Sequence, residues 1–286
     1  MIGTQAVPSW APVSPELSDR DLAAIVRIVY ERSGITLHAG KRALVTARLQ
    51  KRLRQGGFGS FRAYVRQLQN EPAGEEVLAL LDAIATNHTF FFREPQHFTF
   101  LAETVLPPLC DGRDRGPILG WSAGCSTGEE PYTMAMTLLE RFGVEAASRV
   151  RLLASDLSRK ALARATAGVY KAERVADVPR HLSVKYFDRR VVHGQDLVQV
   201  SDAVRRLVEF RHLNLLQPPP LPRFAFIFCR NVMIYFDREA QQRVVAELEA
   251  RLAPGGYLFT SHSESLNSLR HGLTWVAPSV YRRESR

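Results

Sequence analysis

The sequence predicts an α/β fold, a doubly wound and mostly parallel sheet carrying a small antiparallel β insertion and preceded by an all-helical N-terminal domain. Three observations predict it. Apolar residues recur at helical spacing through residues 18–90, with no strand-like run among them. From about residue 117 short apolar runs alternate with helical segments, as strands alternate with crossover helices. Between about 170 and 213 short β-like runs interrupt that alternation. The 286 residues leave room for two domains. The expected division is a disordered lead over 1–17, a helical domain over 18–90 and an α/β domain over 91–286, with its β insertion over about 180–213.

The helical elements come first. Pro8, Pro12 and Pro15 oppose regular structure in the lead. Ser18 and Asp21 have capping-box spacing, with Asp in place of Glu. Leu22, Ile25, Val26 and Val29 then mark one face of a helix that Gly34 stops. A second helix is expected over 39–55, with Leu44, Val45, Leu49 and Leu53 inward and Gly56-Gly57 at its end. Phe61, Tyr64, Val65 and Leu68 mark a third helix, and Val77, Leu78, Leu81 and Ile84 a fourth. Four short amphipathic helices make a small bundle.

In the α/β part, strands are expected over 117–121, 150–154, 224–229, 257–260 and 274–281. Helices are expected from Pro131, an acceptable first-turn proline, then over 158–167 and over 239–252, the last stopped by Gly255-Gly256. The runs Arg190-Val-Val192, Leu197-Val-Gln-Val200 and Leu207-Val-Glu-Phe210 supply the antiparallel insertion.

Composition narrows the class of protein. At 45% hydrophobic and 23% charged residues, the chain has the balance of a folded globular protein. No apolar run reaches the roughly 18 residues a membrane span needs, and the N-terminus lacks the pattern of a signal peptide. Cys110, Cys125 and Cys229 form no C-x-x-C pair, which opposes a disulfide framework or a zinc site and fits a reducing cytoplasm. Cys125 and Cys229 are expected to be buried beside strand ends. The net charge of +9 favours an acidic partner. Six of the cations fall within residues 41–54, KRALVTARLQKRLR, with no acid among them. Arg48 and Arg52 are four apart and share a helix face; an exposed solvated face and a docking face both fit that spacing.

Chemistry is expected at the carboxyl ends of the strands, where open α/β sheets hold their ligands. The first such end is the turn Ala123-Gly-Cys-Ser-Thr-Gly128, whose small residues admit close approach of the backbone. It is not G-x-G-x-x-G, so the dinucleotide fingerprint is absent. Glu129 and Glu130 follow it where a phosphate loop would carry Lys-Ser/Thr, and two carboxylates repel a phosphate. They suit a ligand bearing an ammonium and a sulfonium, such as S-adenosylmethionine. Asp156 ends the second strand, placed either to accept both protons of a ribose diol or to cap the next helix. Asn231 and Tyr235 follow the strand ending at Cys229, with Tyr235 able to face a transferred methyl group. Base N-methyltransferases carry Asn/Asp-Pro-Pro-Tyr there, and neither proline is present, which opposes a nucleic-acid substrate. The segment T-N-H-T-F-F-F-R-E over 86–94 is either an apolar hinge or a lid bringing Asn87, Thr89 and Arg93 over the ligand.

T-N-H-T-F-F-F-R-E, W-S-A-G-C-S-T-G-E-E-P-Y, A-S-D, N-L-L, F-C-R-N-V-M-I-Y-F and S-H-S-E occur in this order from residue 86 onward. Together they resemble the CheR family of bacterial chemoreceptor glutamate O-methyltransferases, and the resemblance runs from about residue 18 to the C-terminus. It implies a Rossmann-like class I methyltransferase domain behind a helical domain, with S-adenosylmethionine as cofactor and S-adenosylhomocysteine as product. It implies cofactor contacts at Asn87, Thr89, Arg93, Glu130, Asp156, Asn214, Leu215, Asn231 and Val232, with the choice of Glu130 over Glu129 resting on motif alignment. Arg93 and Tyr235 are the expected catalytic pair, and Arg48, Arg52 and Arg54 the expected contacts with acidic methylation helices of a receptor's cytoplasmic domain. The chain is expected to be a cytoplasmic monomer, with no metal, no nucleic-acid partner and no membrane insertion. One stretch departs from the pattern. Some members hold a receptor's C-terminal pentapeptide with a Gly-rich loop, and the matching residues 189–196 contain only Gly194. Three rivals stand beside this reading: an NAD-dependent oxidoreductase, a non-catalytic receptor-binding module and an RNA methyltransferase. The first lacks its glycine fingerprint, intact Asn87, Arg93, Asp156 and Asn231 oppose the second, and the third predicts salt-dependent nucleic-acid binding.

Overall fold

A computed structural model describes residues 16–37, 39–111, 116–147 and 149–284, without the side chains of residues 39, 110, 111 and 144–147. Most of the expected disordered lead, 1–15, lies outside the described residues, as does the Cys110 side chain. Leu17, at the end of that lead, is buried. The chain divides into two compact units between Ala85 and Thr86.

The first unit is helical: α1 (Asp19–Ser33), α2 (Arg42–Gly56, entered through a 3-10 turn at Ala39–Lys41), α3 (Phe61–Asn70) and α4 (Glu75–Ile84). Ser18 caps α1, its hydroxyl accepting the Asp21 amide at 3.1 Å and donating to the Asp21 carboxylate at 2.6 Å. Gly34 and Gly57 end α1 and α2 in the left-handed conformation, φ 73° and 70°. Ile25, Val29, Val45, Leu49, Leu53, Phe61, Tyr64, Leu68, Leu80 and Leu81 form the core. Leu44, expected inward, is exposed. The inward stripe of α2 runs Val45-Leu49-Leu53, and one residue back along a helix turns the side chain about 100° away.

The second unit opens with α5 (Gln96–Phe100), which passes through a wider π turn (Leu101–Val105) into α6 (Leu106–Asp111). There follow β1 (Ile118–Ala123), α7 (Glu129–Ala147), β2 (Val150–Asp156), α8 (Arg159–Ala167), β3 (Val169–Lys171), α9 (Arg180–Tyr186), β4 (Phe187–Val192), β5 (Gln195–Val200), α10 (Asp202–Arg205), β6 (Val208–His212), β7 (Phe224–Phe228), α11 (Arg238–Arg251), β8 (Leu252–Phe259), β9 (Leu273–Ala277) and β10 (Val280–Arg283). Seven strands form the main sheet in the order β6-β2-β1-β7-β8-β10-β9. The first five are parallel, and β10 is antiparallel to both its neighbours. Strands β3, β5 and β4 make a separate antiparallel sheet. β1 and β7 are the central pair, covered on both faces, and their runs are nearly continuously apolar for that reason.

Four expectations change. The run 207–210 was assigned to the antiparallel insertion, but β6 is an edge strand of the main sheet, parallel to β2. Val208 and Phe210 pack inward while Glu209 and Arg211 face out, an alternation that parallel edge strands and antiparallel strands share. The expected strand over 274–281 is a hairpin, reversed at Ser279 with φ 59°. α7 begins at Glu129, two residues ahead of Pro131. Gly255-Gly256 lies inside β8 and not at the end of α11. A Cβ on Gly256 would stand 3.0 Å from the Ala225 carbonyl oxygen and 3.1 Å from that of Phe224, where the β7–β8 register shifts. Cys125 and Cys229 are buried free thiols, as expected. Among the described residues no helix is long and apolar enough to cross a membrane.

The strand order reverses between β1 and β7, so their carboxyl ends open a crevice, the usual ligand position of such sheets.

Candidate functional site

The turn after β1 owes its shape to Gly124, at φ 90°. A Cβ there would fall 2.3 Å from a Val232 methyl carbon, so the loops after β1 and β7 meet more closely than a side chain allows. The amides of Gly124 and Cys125 both donate to the Ser155 carbonyl, at 2.8 and 2.9 Å, which folds the turn toward the end of β2. Asp156 completes it: one carboxylate oxygen accepts the Ser126 amide at 2.7 Å and the other the Ser158 amide at 2.8 Å. Each oxygen keeps a lone pair, so this backbone duty leaves room for a ligand hydroxyl. Burial pushes the Asp156 carboxyl up, and the amides of Ser158, Ser126 and Leu157 oppose the shift. From β6, Leu213 donates its amide to the Asp156 carbonyl at 3.0 Å, which places Asn214 and buried Leu215 at the same edge of the crevice.

The end of β7 is held by Glu264. One of its oxygens accepts the Asn231 amide at 2.7 Å, the Ser261 amide at 3.0 Å and the Ser261 hydroxyl at 2.7 Å; the other accepts the Ile234 amide at 3.3 Å. Asn231 takes the left-handed conformation at φ 60°, which Asn tolerates better than most residues. Tyr235 lies, half-buried, in the short 3-10 turn that follows Val232.

Glu129 and Glu130 separate cleanly. Glu129 is fully buried, accepting the Thr127 hydroxyl at 2.6 Å and pairing with Arg174. The Glu130 side chain is 14% exposed; it accepts the Ser122 hydroxyl at 2.7 Å and pairs with Arg230 at 3.2 Å. Burial raises the Glu130 pKa, with Arg230 as the main opposing charge. Of the two, Glu130 is the one with open surface at the strand ends.

The segment 87–94 runs beside these groups. Thr89 and Phe91 are buried, Phe91 edge-on to Tyr170 and Phe187. Phe92 donates its amide to the Thr133 hydroxyl at 3.2 Å. Arg93 is half-buried, its guanidinium over the Phe90 ring and bonded to the His88 carbonyl at 3.1 Å. Next to it, His97 is buried among Phe228, Phe259 and His262, and burial, followed by Arg230 and His262, lowers its pKa to about 3. Glu94, His97 and His262 bring three donor atoms within 4.8 Å of one another, with the Arg230 guanidinium 3.3 Å from the Glu94 carboxylate.

The three arginines on α2 do not act alike. Arg48 donates to the Ile84 and Ala85 carbonyls at the end of α4, at 2.5 and 3.3 Å, and Arg52 pairs with Glu76 of α4. Arg54 is exposed, as is Lys51.

Sequence reasoning missed Arg174, Arg230 and Glu264. Two stood inside motifs, Arg230 in F-C-R-N and Glu264 in S-H-S-E; for Arg230 a charged residue close behind a buried strand was the available signal, while Glu264 lies five residues past β8. Arg174 sits in a 3-10 turn of ordinary composition, with no signal of its own.

Residues 20–85 match a family model described as CheR methyltransferase, all-alpha domain, and residues 87–281 match one described as CheR methyltransferase, SAM binding domain. The chain is similar to the chemotaxis protein methyltransferase of Borreliella burgdorferi, 36% identical over 269 residues, covering 92% of this chain and 94% of the relative. It is similar to that of Escherichia coli, 38% identical over 268 residues, covering 93% and 91%. Chemotaxis protein methyltransferase 2 of Pseudomonas aeruginosa is 39% identical over 263 residues, covering 91% and 92%.

Proposed function

The chain belongs to the CheR methyltransferase family, with S-adenosylmethionine as its cofactor, and from that premise we propose that it methylates glutamate side chains of chemoreceptors to glutamyl methyl esters. The observation that carries the reading is a cradle acidic at Glu130 and Asp156 with a guanidinium, Arg93, on the neighbouring segment. A carboxylate with lone pairs to spare at Asp156 fits a ribose diol, and Glu130, the more open of the paired glutamates, fits a cationic amino-acid moiety. S-adenosylmethionine, when bound, supplies an electrophilic methyl on sulfonium and is released as S-adenosylhomocysteine.

Cofactor contacts are assigned to Asn87, Thr89, Arg93, Glu130, Asp156, Asn214, Leu215, Asn231 and Val232. A glutamate acceptor, with a reference pKa of about 4.3, is already ionised at neutral pH, so the chain needs no strong general base. Its work is positioning and partial desolvation, with Arg93 holding the incoming carboxylate and Tyr235 orienting it. Exposed Arg54, with Lys51, faces the acidic methylation helices, while Arg48 and Arg52 hold α2 in place for that contact. The protein acts in the cytoplasm as a monomer.

The test is methyl transfer from labelled cofactor to receptor-enriched membranes. A base-labile methyl ester on the receptor is expected; label that survives mild base, or that enters RNA, would sink the assignment.

A further inference from the structure

The adjacent glutamates at the start of α7 each brace an arginine, and each arginine grips the same neighbouring segment. On one side Glu129 pairs with Arg174, whose guanidinium also donates to the Thr89 carbonyl at 2.6 Å. On the other, Glu130 pairs with Arg230 at 3.2 Å. The second terminal nitrogen of Arg230 donates to the Arg93 carbonyl and lies 3.3 Å from the Glu94 carboxylate. Arg230 is almost fully buried, with Phe98 and Phe228 within 5.6 and 5.9 Å of its guanidinium carbon. Within the gripped segment, Phe92 and Glu94 hold left-handed backbone conformations, φ 56° and 55°, that non-glycine residues rarely adopt. Such conformations persist only where surrounding contacts over-determine them.

We propose that Arg174 and Arg230 are positioning residues that clamp residues 89–94 from both ends, so that Thr89 and Arg93 are presented to the cofactor in a fixed geometry. Neither arginine needs to touch cofactor or substrate for this. The paired glutamates then have a purpose separate from ligand charge: each keeps one clamp loaded. Arg174 lies next to the antiparallel sheet, and Arg230 stands two residues past β7, so the segment is tied to two parts of the unit that are far apart in sequence. The inference rests on placing Thr89 and Arg93 at the cofactor.

The test uses the full chain, two clamp variants and one control variant. Arg230→Lys keeps the positive charge beside Glu94 and Glu130 but cannot span both Glu130 and the Arg93 carbonyl. Arg174→Ala removes the partly exposed clamp. Melting temperatures establish that each variant is folded. Hydrogen exchange then reads the amides of 89–94, and calorimetry reads S-adenosylhomocysteine affinity. We expect faster exchange across 89–94 in both variants, roughly tenfold or more weaker binding, and a higher KM for the cofactor with a smaller change in kcat. Exchange and affinity at wild-type levels in both variants overturn the clamp. Arg93→Ala is the control for the reading beneath it: unchanged affinity in that variant overturns Arg93 as a cofactor contact, whereas the exchange data on the other two variants still decide the clamp.

Discussion

The strand ends of the α/β unit and helix α2 of the helical unit were both marked as functional by their polar residues, and they behave differently. At the strand ends, residues from β1, β2, β6 and β7 converge because a parallel sheet with a reversal in strand order has nowhere else to put its loops. On α2, Arg48 and Arg52 share a face as their spacing requires, and both are spent on α4 within the same unit. Spacing along a helix says which residues point the same way; it does not say what they meet. Topology is the stronger guide, since it fixes the neighbours of a residue as well as its direction.

That contrast can be broken by experiment. The largest effect expected is on stability in acid. His97 has its pKa lowered to about 3, so the unfolded chain binds a proton that the folded one refuses. Stability is therefore fully present above about pH 6.5 and is lost as the pH falls toward about 3, with a slope approaching ~1.4 kcal/mol per pH unit. Denaturant melts across that window measure it, and His97→Phe should flatten the slope. Next comes Asp156→Ala, which removes the acceptor of two amides and the assigned ribose contact. A loss of about 3 kcal/mol in S-adenosylhomocysteine affinity is expected by calorimetry; unaltered affinity would reduce Asp156 to a brace for the backbone turn, since Ser158 caps α8.

The helical unit supplies the sharpest comparison. Arg52→Ala strands Glu76, whose side chain is 19% exposed, and should cost about 1–3 kcal/mol of unfolding free energy. Arg54→Ala should stay within about 0.5 kcal/mol of the parent. Equal losses would erase the division of roles on α2. The smallest effect is the converse: Arg54→Ala should weaken receptor association about two- to fivefold at low salt, and the difference should fade as salt is added. A variant that binds receptor like the parent at every ionic strength would move the docking face elsewhere.

Much of this architecture is legible in the sequence, and the failures have physical causes. Periodicity identified α1 to α4 because each buries one stripe, and it failed at Leu44 because an apolar residue beside the stripe looks like one within it. β6 was misplaced because a five-residue alternating run carries no information about its partner. Gly255-Gly256 looked like a helix stop because glycine serves there and at a strand bulge for the same reason, the lack of a Cβ. The positions of Asp156 and Asn231 were readable because one ends a buried strand and the other lies just beyond one. Arg174 and the role of Arg230 were not, since their partners lie 45, 85, 100 and 137 residues away. Pairings of that range belong to the folded chain and leave no local pattern.

Glu264 has a consequence for the order in which the molecule is made. It reaches back 33 residues to the Asn231 amide, and its carboxylate fixes the loop that follows β7. A chain synthesised from its N-terminus has β1, β2, β6 and β7 in hand before this residue exists. A nascent chain that stops short of residue 264 owns the strands of the crevice but not the group that sets one of its walls. One wall of the crevice is thus set after its strands are made, by a residue that follows β8, and is withheld from the half-made sheet.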